Sequence, residues 1–485
     1  MSTGTQLSAR DRIKGLLDEC SFVEIGSMVH ARNTDFNMAE QETPADGVLT
    51  GYGTIDGKLA YVYSQDASVM GGSVGEMHAK KIVRMYDMAL KMGAPVIGLI
   101  DCAGMRLQEA TDALNAFGEV YYKQTMASGI VPQITGVFGT CGGGMALVPA
   151  LADFTFAVTG KGEIFVNSPD ALDGNRVEIC NTASSDFHSR VMGDIDGACE
   201  TDLEVLGKIR QLVSILPSNN KEDAFCMSDI SDDLNRENPA LGMSKDTAYI
   251  LQDISDNGTF FEVKAEYARE MVTAFITLNG NTVGAVANRE EILGEDGGVS
   301  EHFEPVLTVG GAKKAESFIR FCDAFSIPVL TLVNVAGFKA SKAEEMGMAA
   351  ASAKLTYAYA SATIPKISVI IGKAYGSAYL CMGSRHIGAD LMYAWPDAKI
   401  GMMAAESAVK IIYSEDIRKA EDQKAFIREK TGDYDELQNS PESAASRGYV
   451  DAVILPAATR KRLIAAFDML ATKREPVMDK KHGTV

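Results

Sequence analysis

IVPQITGVFGTCGGGM, residues 130–145, is a mostly apolar run ending in three glycines, and it returns as TIPKISVIIGKAYGSA at 363–378. The two stretches lie 233 residues apart, and the same offset pairs Ala79-Lys80-Lys81 with Ala312-Lys313-Lys314, Pro95-Val96 with Pro328-Val329, Ala103-Gly104 with Ala336-Gly337, and Ala127-Ser128 with Ala360-Ser361. No gap is needed between residues 79 and 146. A short apolar run bounded by turn residues reads as a buried strand, and the glycines after it as a tight strand-to-helix turn. Missing side chains let a ligand approach the backbone, and N–H groups at a helix start are unpaired and point at it. Helix-on-strand packing explains one such turn by itself. Two at matched places predict an enzyme with two similar half-sites, each able to hold a developing negative charge such as an enolate oxygen.

The surroundings of each turn alternate helix and strand. Residues 8–19 read as an opening helix, and 48–64 as a hairpin turning at Asp56-Gly57. Then come a helix over 76–92, a buried strand over 94–101, a helix over 112–128 and a second strand over 130–138. The later copy repeats this order with helix 312–325, strand 327–335, helix 348–362 and strand 364–371. Strand, crossover helix and strand in close succession imply parallel βαβ units, an α/β fold. Residues 217–240, rich in Pro, Asn, Asp and Ser, read as a linker. The domains expected are 1–230 and 241–485.

With 485 residues the chain exceeds one ordinary domain, and two domains of about 240 residues fit both length and offset. A net charge of −19 argues against nucleic acid, whose phosphates demand a basic contact surface. The eight cysteines form no C-x-x-C pair, and with six histidines they give no metal-binding pattern. No apolar run spans a bilayer, and the N-terminus lacks the apolar core of a secretory signal, so a cytoplasmic protein is expected.

The segments GEMHAKKI (75–82), GAPVIGL (93–99), SGIVPQI (128–134), LPSNN (216–220), FIRFCDAF (318–325), IPVLTLV (327–333), AKLTYAY (353–359), KAYGSAY (373–379), MGSRHIGADLMYAWP (382–396) and TRKRLIAAFDML (459–470) together carry a resemblance. In this order they resemble the carboxyltransferase subunits of biotin-dependent acyl-CoA carboxylases and decarboxylases, over nearly the whole chain. The resemblance implies two tandem crotonase-like domains, each a spiral of ββα units, assembled into hexamers as trimers of dimers. It implies an active site drawn from the N-domain of one subunit and the C-domain of another. The substrates would be a coenzyme A thioester, on the N-terminal side, and biotin on a separate biotin carboxyl carrier protein, on the C-terminal side. Further partners would be a biotin carboxylase or a membrane decarboxylase subunit, the latter giving membrane association.

Carried over by residue, the N–H groups of Gly143 and Gly144 are the first pair of oxyanion donors, and those of Ser377 and Ala378 the second. Gly142, Ala103, Gly104, Arg106, Gly337, Gly376 and Leu380 become substrate-binding residues. Biotin itself would remove the α-proton, which accounts for the want of an obvious general base. The pattern also departs from the family. Gly376-Ser377-Ala378 replaces Gly-Gly-Ala, Cys102-Ala103-Gly104-Met105-Arg106 replaces Ser-Gly-Gly-Ala-Arg, and Ala336-Gly337-Phe338 replaces Pro-Gly-Phe. Leu380, at a position tied to acyl-chain preference, favours an alkyl acyl group.

Among basic residues, Arg106 is favoured over Lys80, Lys81 and Arg84 as a contact for the phosphates of coenzyme A, since the latter three fit a solvated helix face. Gly71-Gly72-Ser73-Val74-Gly75, with His78 nearby, matches a nucleophile-elbow pattern, but about eight residues separate Ser73 from the preceding strand where the elbow needs a direct strand-to-helix turn. Met88-Ala89-Leu90-Lys91-Met92 resembles a biotinylation sequence, yet it ends a helix, so Lys91 is read as unmodified. Two alternatives remain. One is a crotonase-type hydratase or isomerase, with Glu109 and Glu119 as its only obvious acids. The other is a non-catalytic assembly paralogue. Within the carboxyltransferase reading, the altered motifs lean toward the decarboxylase group.

Overall fold

A computed structural model describes residues 6–33, 36–173, 181–222, 231–294 and 296–475, and the chain divides into two compact units, Met1–Asp223 and Ala224–Val485. Part of the expected linker, 223–230, lies outside the described residues.

In the first unit α1 (Ala9–Leu16) is capped by Ser8, whose hydroxyl accepts from the Asp11 N–H. Strands β1 (Val23–Glu24), β2 (Val48–Ile55) and β3 (Lys58–Gln65) follow, then α2 (Glu76–Met92), β4 (Val96–Cys102), α3 (Ala110–Ala127), β5 (Gln133–Gly142), the short α4 (Leu147–Ala150), β6 (Phe154–Val158), β7 (Glu163–Phe165), α5 (Ser185–Phe187), β8 (Gly197–Cys199) and α6 (Asp202–Ile215). The sheet runs β1-β2-β3-β4-β5-β6-β8, with β7 also on β5. Its hairpin end is antiparallel and the rest parallel. Asp56 (φ 48°) and Gly57 (φ 79°) form the hairpin turn, and two successive positive φ values match the right-handed strand twist. Every residue of β4 is buried, as parallel strands covered on both faces require.

The second unit contains α7 (Thr247–Ile254), β9 (Phe260–Val263), β10 (Met271–Leu278), β11 (Asn281–Asn288), β12 (Glu291–Leu293), β13 (Val299–His302), α8 (Val309–Ala324), β14 (Val329–Val335), α9 (Lys342–Ser361), β15 (Lys366–Tyr375), α10 (Gly376–Cys381), β16 (Leu391–Ala394), β17 (Lys399–Gly401), α11 (Ala405–Ile412), α12 (Ser414–Lys419), α13 (Gln423–Tyr434), α14 (Pro441–Ser446), β18 (Ala452–Val453) and α15 (Thr459–Leu470). Its sheet order is β18-β16-β15-β14-β11-β10-β9, with β17 on β15. The single tryptophan of the chain, Trp395, is buried in this unit's core, and its Nε1 donates to Thr459 Oγ1 at 3.1 Å.

Strands β4 and β5 map onto β14 and β15 at the 233-residue offset, end for end. The hairpins β2–β3 and β10–β11 are offset by only 223. The difference of ten residues is taken up between β11 and α8, where the second unit has the β12–β13 hairpin and the first has none. The expected α/β architecture of two mainly parallel sheets is therefore present, with one insertion that the gapless stretch did not reveal. Among the described residues no helix is long and apolar enough to cross a membrane.

Candidate active site

In the first unit the C-terminal ends of β4 and β5 bring Ala103, Gly104, Gly142, Gly143 and Gly144 together. Gly104 has φ +116°, and a Cβ there would stand 3.1 Å from the Gly142 carbonyl oxygen. A Cβ on Gly142 would lie 3.3 Å from the Ala103 carbonyl, so the two strand ends meet backbone to backbone. Gly143 turns the chain with φ +61°, and a Cβ there would meet nothing within 4 Å. The turn opens onto free space, and the N–H groups of its first residues have no i−4 partners.

The second unit repeats the backbone hydrogen bonds of this construction. Leu307 N–H donates to the Gly337 carbonyl at 2.9 Å as Val74 N–H does to Gly104 at 2.9 Å, and Lys339 N–H reaches Leu307 as Arg106 N–H reaches Val74. Gly337 and Gly376 hold φ +156° and +60°. Here the turn forms one wall of a cavity of about 790 Å³ that also takes in Ala336, Phe338, Ser377, Ala378 and Leu380. The rest of its lining includes Tyr434, Arg447 and Tyr449, from the segment after β17, and His386. No Asp or Glu is among these described lining residues. Burial pushes the Tyr379 hydroxyl up to about 12 and raises Tyr375 as well, so both stay protonated at neutral pH. The cavity thus combines backbone donors and apolar side chains with the polar His386, Gln438, Asn439 and Arg447, and no carboxylate lines it.

The structure assigns Arg106 a different place from the one expected. Its guanidinium is wholly buried, with Nη1 at 2.5 Å from Asp46 Oδ1 and 2.8 Å from Glu109 Oε1, while Nη2 donates to the Ser73 carbonyl at 2.8 Å. A guanidinium saturated in this way has no reach toward a phosphate. It organises the entrance of α2 instead: Glu109 Oε2 accepts from the Glu76 N–H at 2.7 Å, and Asp46 Oδ2 from the His78 N–H at 2.7 Å. Glu109 is therefore committed to a cap as well. Lys81 is buried too, donating to the Ala45 and Val48 carbonyls. His78 is fully buried between Gln65 and the Asp46 carbonyl, and burial followed by the nearby Arg106 charge pushes its pKa down to about 3. Ser73 faces Arg106 and not His78, so no nucleophile–base pair forms.

Sequence reasoning missed two contributors. One is Tyr121, whose hydroxyl donates to the Gly144 carbonyl at 2.5 Å; its helical phase on α3, one turn after Phe117, is the signal that places it over the turn. The other is the cavity lining drawn from residues 434–449, between β17 and β18, where no motif had been singled out.

Comparison with known proteins bears on this geometry. The carboxyl transferase domain matches residues 2–485. The chain belongs to the carboxyl transferase domain family. It is 42% identical to the propionyl-CoA carboxylase beta chain of Roseobacter denitrificans, over 99% of this chain and 94% of that one. It is 40% identical to the methylmalonyl-CoA decarboxylase subunit alpha of Propionigenium modestum, over 99% and 93%. Among solved structures, transcarboxylase 12S, a hexamer crystallised with methylmalonyl-coenzyme A and methylmalonic acid bound, superposes with a TM-score of 0.91 at 38% identity, over 99% of this chain and 92% of that one.

Proposed function

We propose that this protein is a carboxyltransferase of the propionyl-CoA and methylmalonyl-CoA type, moving CO2 between biotin on a separate carrier protein and the α-carbon of a short acyl-CoA. The observation that carries the reading is the pair of glycine turns, Gly143 and Gly376, in the same left-handed conformation at the same register of a duplicated fold. The N–H groups of Gly143 and Gly144 hold the thioester oxygen, on which charge builds whether the α-proton or CO2 departs. Those of Ser377 and Ala378 hold the ureido carbonyl. Biotin supplies the ureido nitrogen that carries the carboxylate and accepts the α-proton. The second-unit cavity suits that ring, since its volume falls in the few-hundred to thousand Å³ range of small-molecule sites and it sets polar side chains such as Asn439 and Arg447 beside apolar ones such as Phe338 and Leu380. Open space above Gly143 suits the bulkier thioester.

Ala103, Gly104 and Gly142 shape the thioester side, and Gly337 and Leu380 the biotin side. Where the two sides of the centre meet, the apolar Leu380 also faces the acyl chain and favours an alkyl one. Similarity to both carboxylase and decarboxylase subunits leaves the direction to the partners: a biotin carboxylase for carboxylation, a membrane subunit for decarboxylation. The assembled form is a hexamer with a biotin carrier as its partner. The test is transfer of labelled CO2 from methylmalonyl-CoA to free biotin by the purified chain. Transfer is expected. Well-formed oligomers that transfer no label from methylmalonyl-CoA or any other short carboxyacyl-CoA overturn the reading in favour of an assembly paralogue, and hydration of an enoyl-CoA without biotin overturns it in favour of a hydratase.

A further inference from the structure

We infer that Tyr121 is a positioning residue for the first oxyanion turn, and that its hydroxyl is the reason residue 144 is glycine. The inference rests on the carboxyltransferase reading of that turn. Three consecutive glycines expose N–H groups well but hold them still badly, because glycine has the largest backbone freedom to lose. Oxyanion stabilisation depends on donors that need no rearrangement when charge develops. Tyr121 limits that freedom from the far side of the turn by donating its hydroxyl to the Gly144 carbonyl at 2.5 Å, which pins the peptide between Gly144 and Met145, next to the one that carries the Gly144 N–H. The ring is itself held in place, with its centroid 5.7 Å from that of the buried Phe117 one turn earlier on α3.

Clearance explains the third glycine. A Cβ on Gly144 would stand 2.8 Å from Tyr121 Oη, whereas the next atoms, Phe117 Cε1 and Cδ1, are at 3.6 and 3.7 Å, ordinary contact distances. Gly144 is not among the residues with positive φ, so its backbone conformation is open to alanine. Only the tyrosine hydroxyl forbids a side chain there. The other copy supplies the control: the residue matching Tyr121 at the 233-residue offset is the half-buried Lys354, which has no hydroxyl, and the residue matching Gly144 is Ser377, which carries a side chain. Where the hydroxyl is missing, the glycine is missing too.

Transfer of labelled CO2 from methylmalonyl-CoA to free biotin reads the effect in four proteins: wild type, Tyr121→Phe, Gly144→Ala and the double variant. Tyr121→Phe is expected to lower kcat about fivefold with KM for methylmalonyl-CoA unchanged, a split that a change in fold stability alone would not produce. Gly144→Ala is expected to lower kcat at least about tenfold more in the wild-type background than beside Tyr121→Phe, because removing Oη makes room for the methyl group. An unchanged kcat in Tyr121→Phe, or an equal cost of Gly144→Ala in both backgrounds, overturns the inference. If the wild type transfers no CO2, it is the carboxyltransferase reading that falls. The clash is then read from thermal midpoints: Gly144→Ala lowers the midpoint and Tyr121→Phe recovers it, and midpoints that show no recovery overturn the contact as well.

Discussion

A side chain at position 143 would meet no protein atom, so its cost falls on backbone conformation and on the space the thioester needs. At φ +61° a β-branched residue is strained by about 1–2 kcal/mol, which a folded unit of this size survives. Gly143→Val is therefore expected to lower turnover roughly 10²–10³-fold, equivalent to losing one oxyanion donor, while size-exclusion chromatography shows the native oligomer. Ser377→Gly is expected to keep wild-type turnover with methylmalonyl-CoA within about twofold, since the donor at 377 is a backbone N–H either way. Arg106 is the opposite case, a residue whose importance is stability. Arg106→Ala strands Asp46 and Glu109 without their shared cation in a dry interior and is expected to cost about 3–5 kcal/mol, measured as a fall in denaturation midpoint.

At the level of elements, β5 and β15 are anchored at their starts by the same device with different electrostatics. The Gln133 N–H donates to Asp153 Oδ2 at 2.8 Å, and its counterpart, the Lys366 N–H, donates to Asp390 Oδ2 at 2.8 Å. Lys473 sits 2.9 Å from Asp390, whereas Asp153 has a second carboxylate, Asp196, in its surroundings. Burial first, opposed by the Gln133 hydrogen bond and helped by Asp196, lifts Asp153 to about 7. In the unfolded chain it ionises near the ordinary value of about 4, so the folded state binds the extra proton between those values. Stability contributed by protonated Asp153 is thus full below pH 4, declines through the interval and is gone above 7. Asp153→Asn keeps an acceptor for the Gln133 N–H and is expected to be more stable than wild type by about 2–4 kcal/mol at pH 8 and equal to it near pH 4, in urea titrations.

These elements were legible because buried parallel strands read as continuous apolar runs and because the two copies align without a gap around them. The second hairpin was overlooked for a physical reason: its offset shifts by ten residues once the β12–β13 insertion intervenes, so it falls out of register with everything after it. The glycine turns were visible as composition. Their third dimension was not. Arg106 meets Asp46 across 60 positions of sequence, and no local pattern distinguishes a basic residue aimed at a phosphate from one buried among carboxylates.

For the whole molecule, the resemblance raises the expectation that one catalytic centre draws its two turns from different subunits. Mixed oligomers test it. Gly143→Val and Gly376→Val chains, each inactive alone, are expected to recover about a quarter of wild-type transfer when unfolded together and reassembled, because half the dimers are mixed and half of their sites intact. No recovery would place both turns of a centre on one chain.

Trp395 gives the two halves separate voices. As the only indole in the chain, buried in the second core, its emission reports the melting of that unit alone, while far-ultraviolet circular dichroism sums over both. At pH 8 the Asp153→Asn variant should therefore move the dichroism transition and leave the fluorescence transition where the wild type has it, so that two optical signals from one sample separate the unfolding of one half from that of its copy.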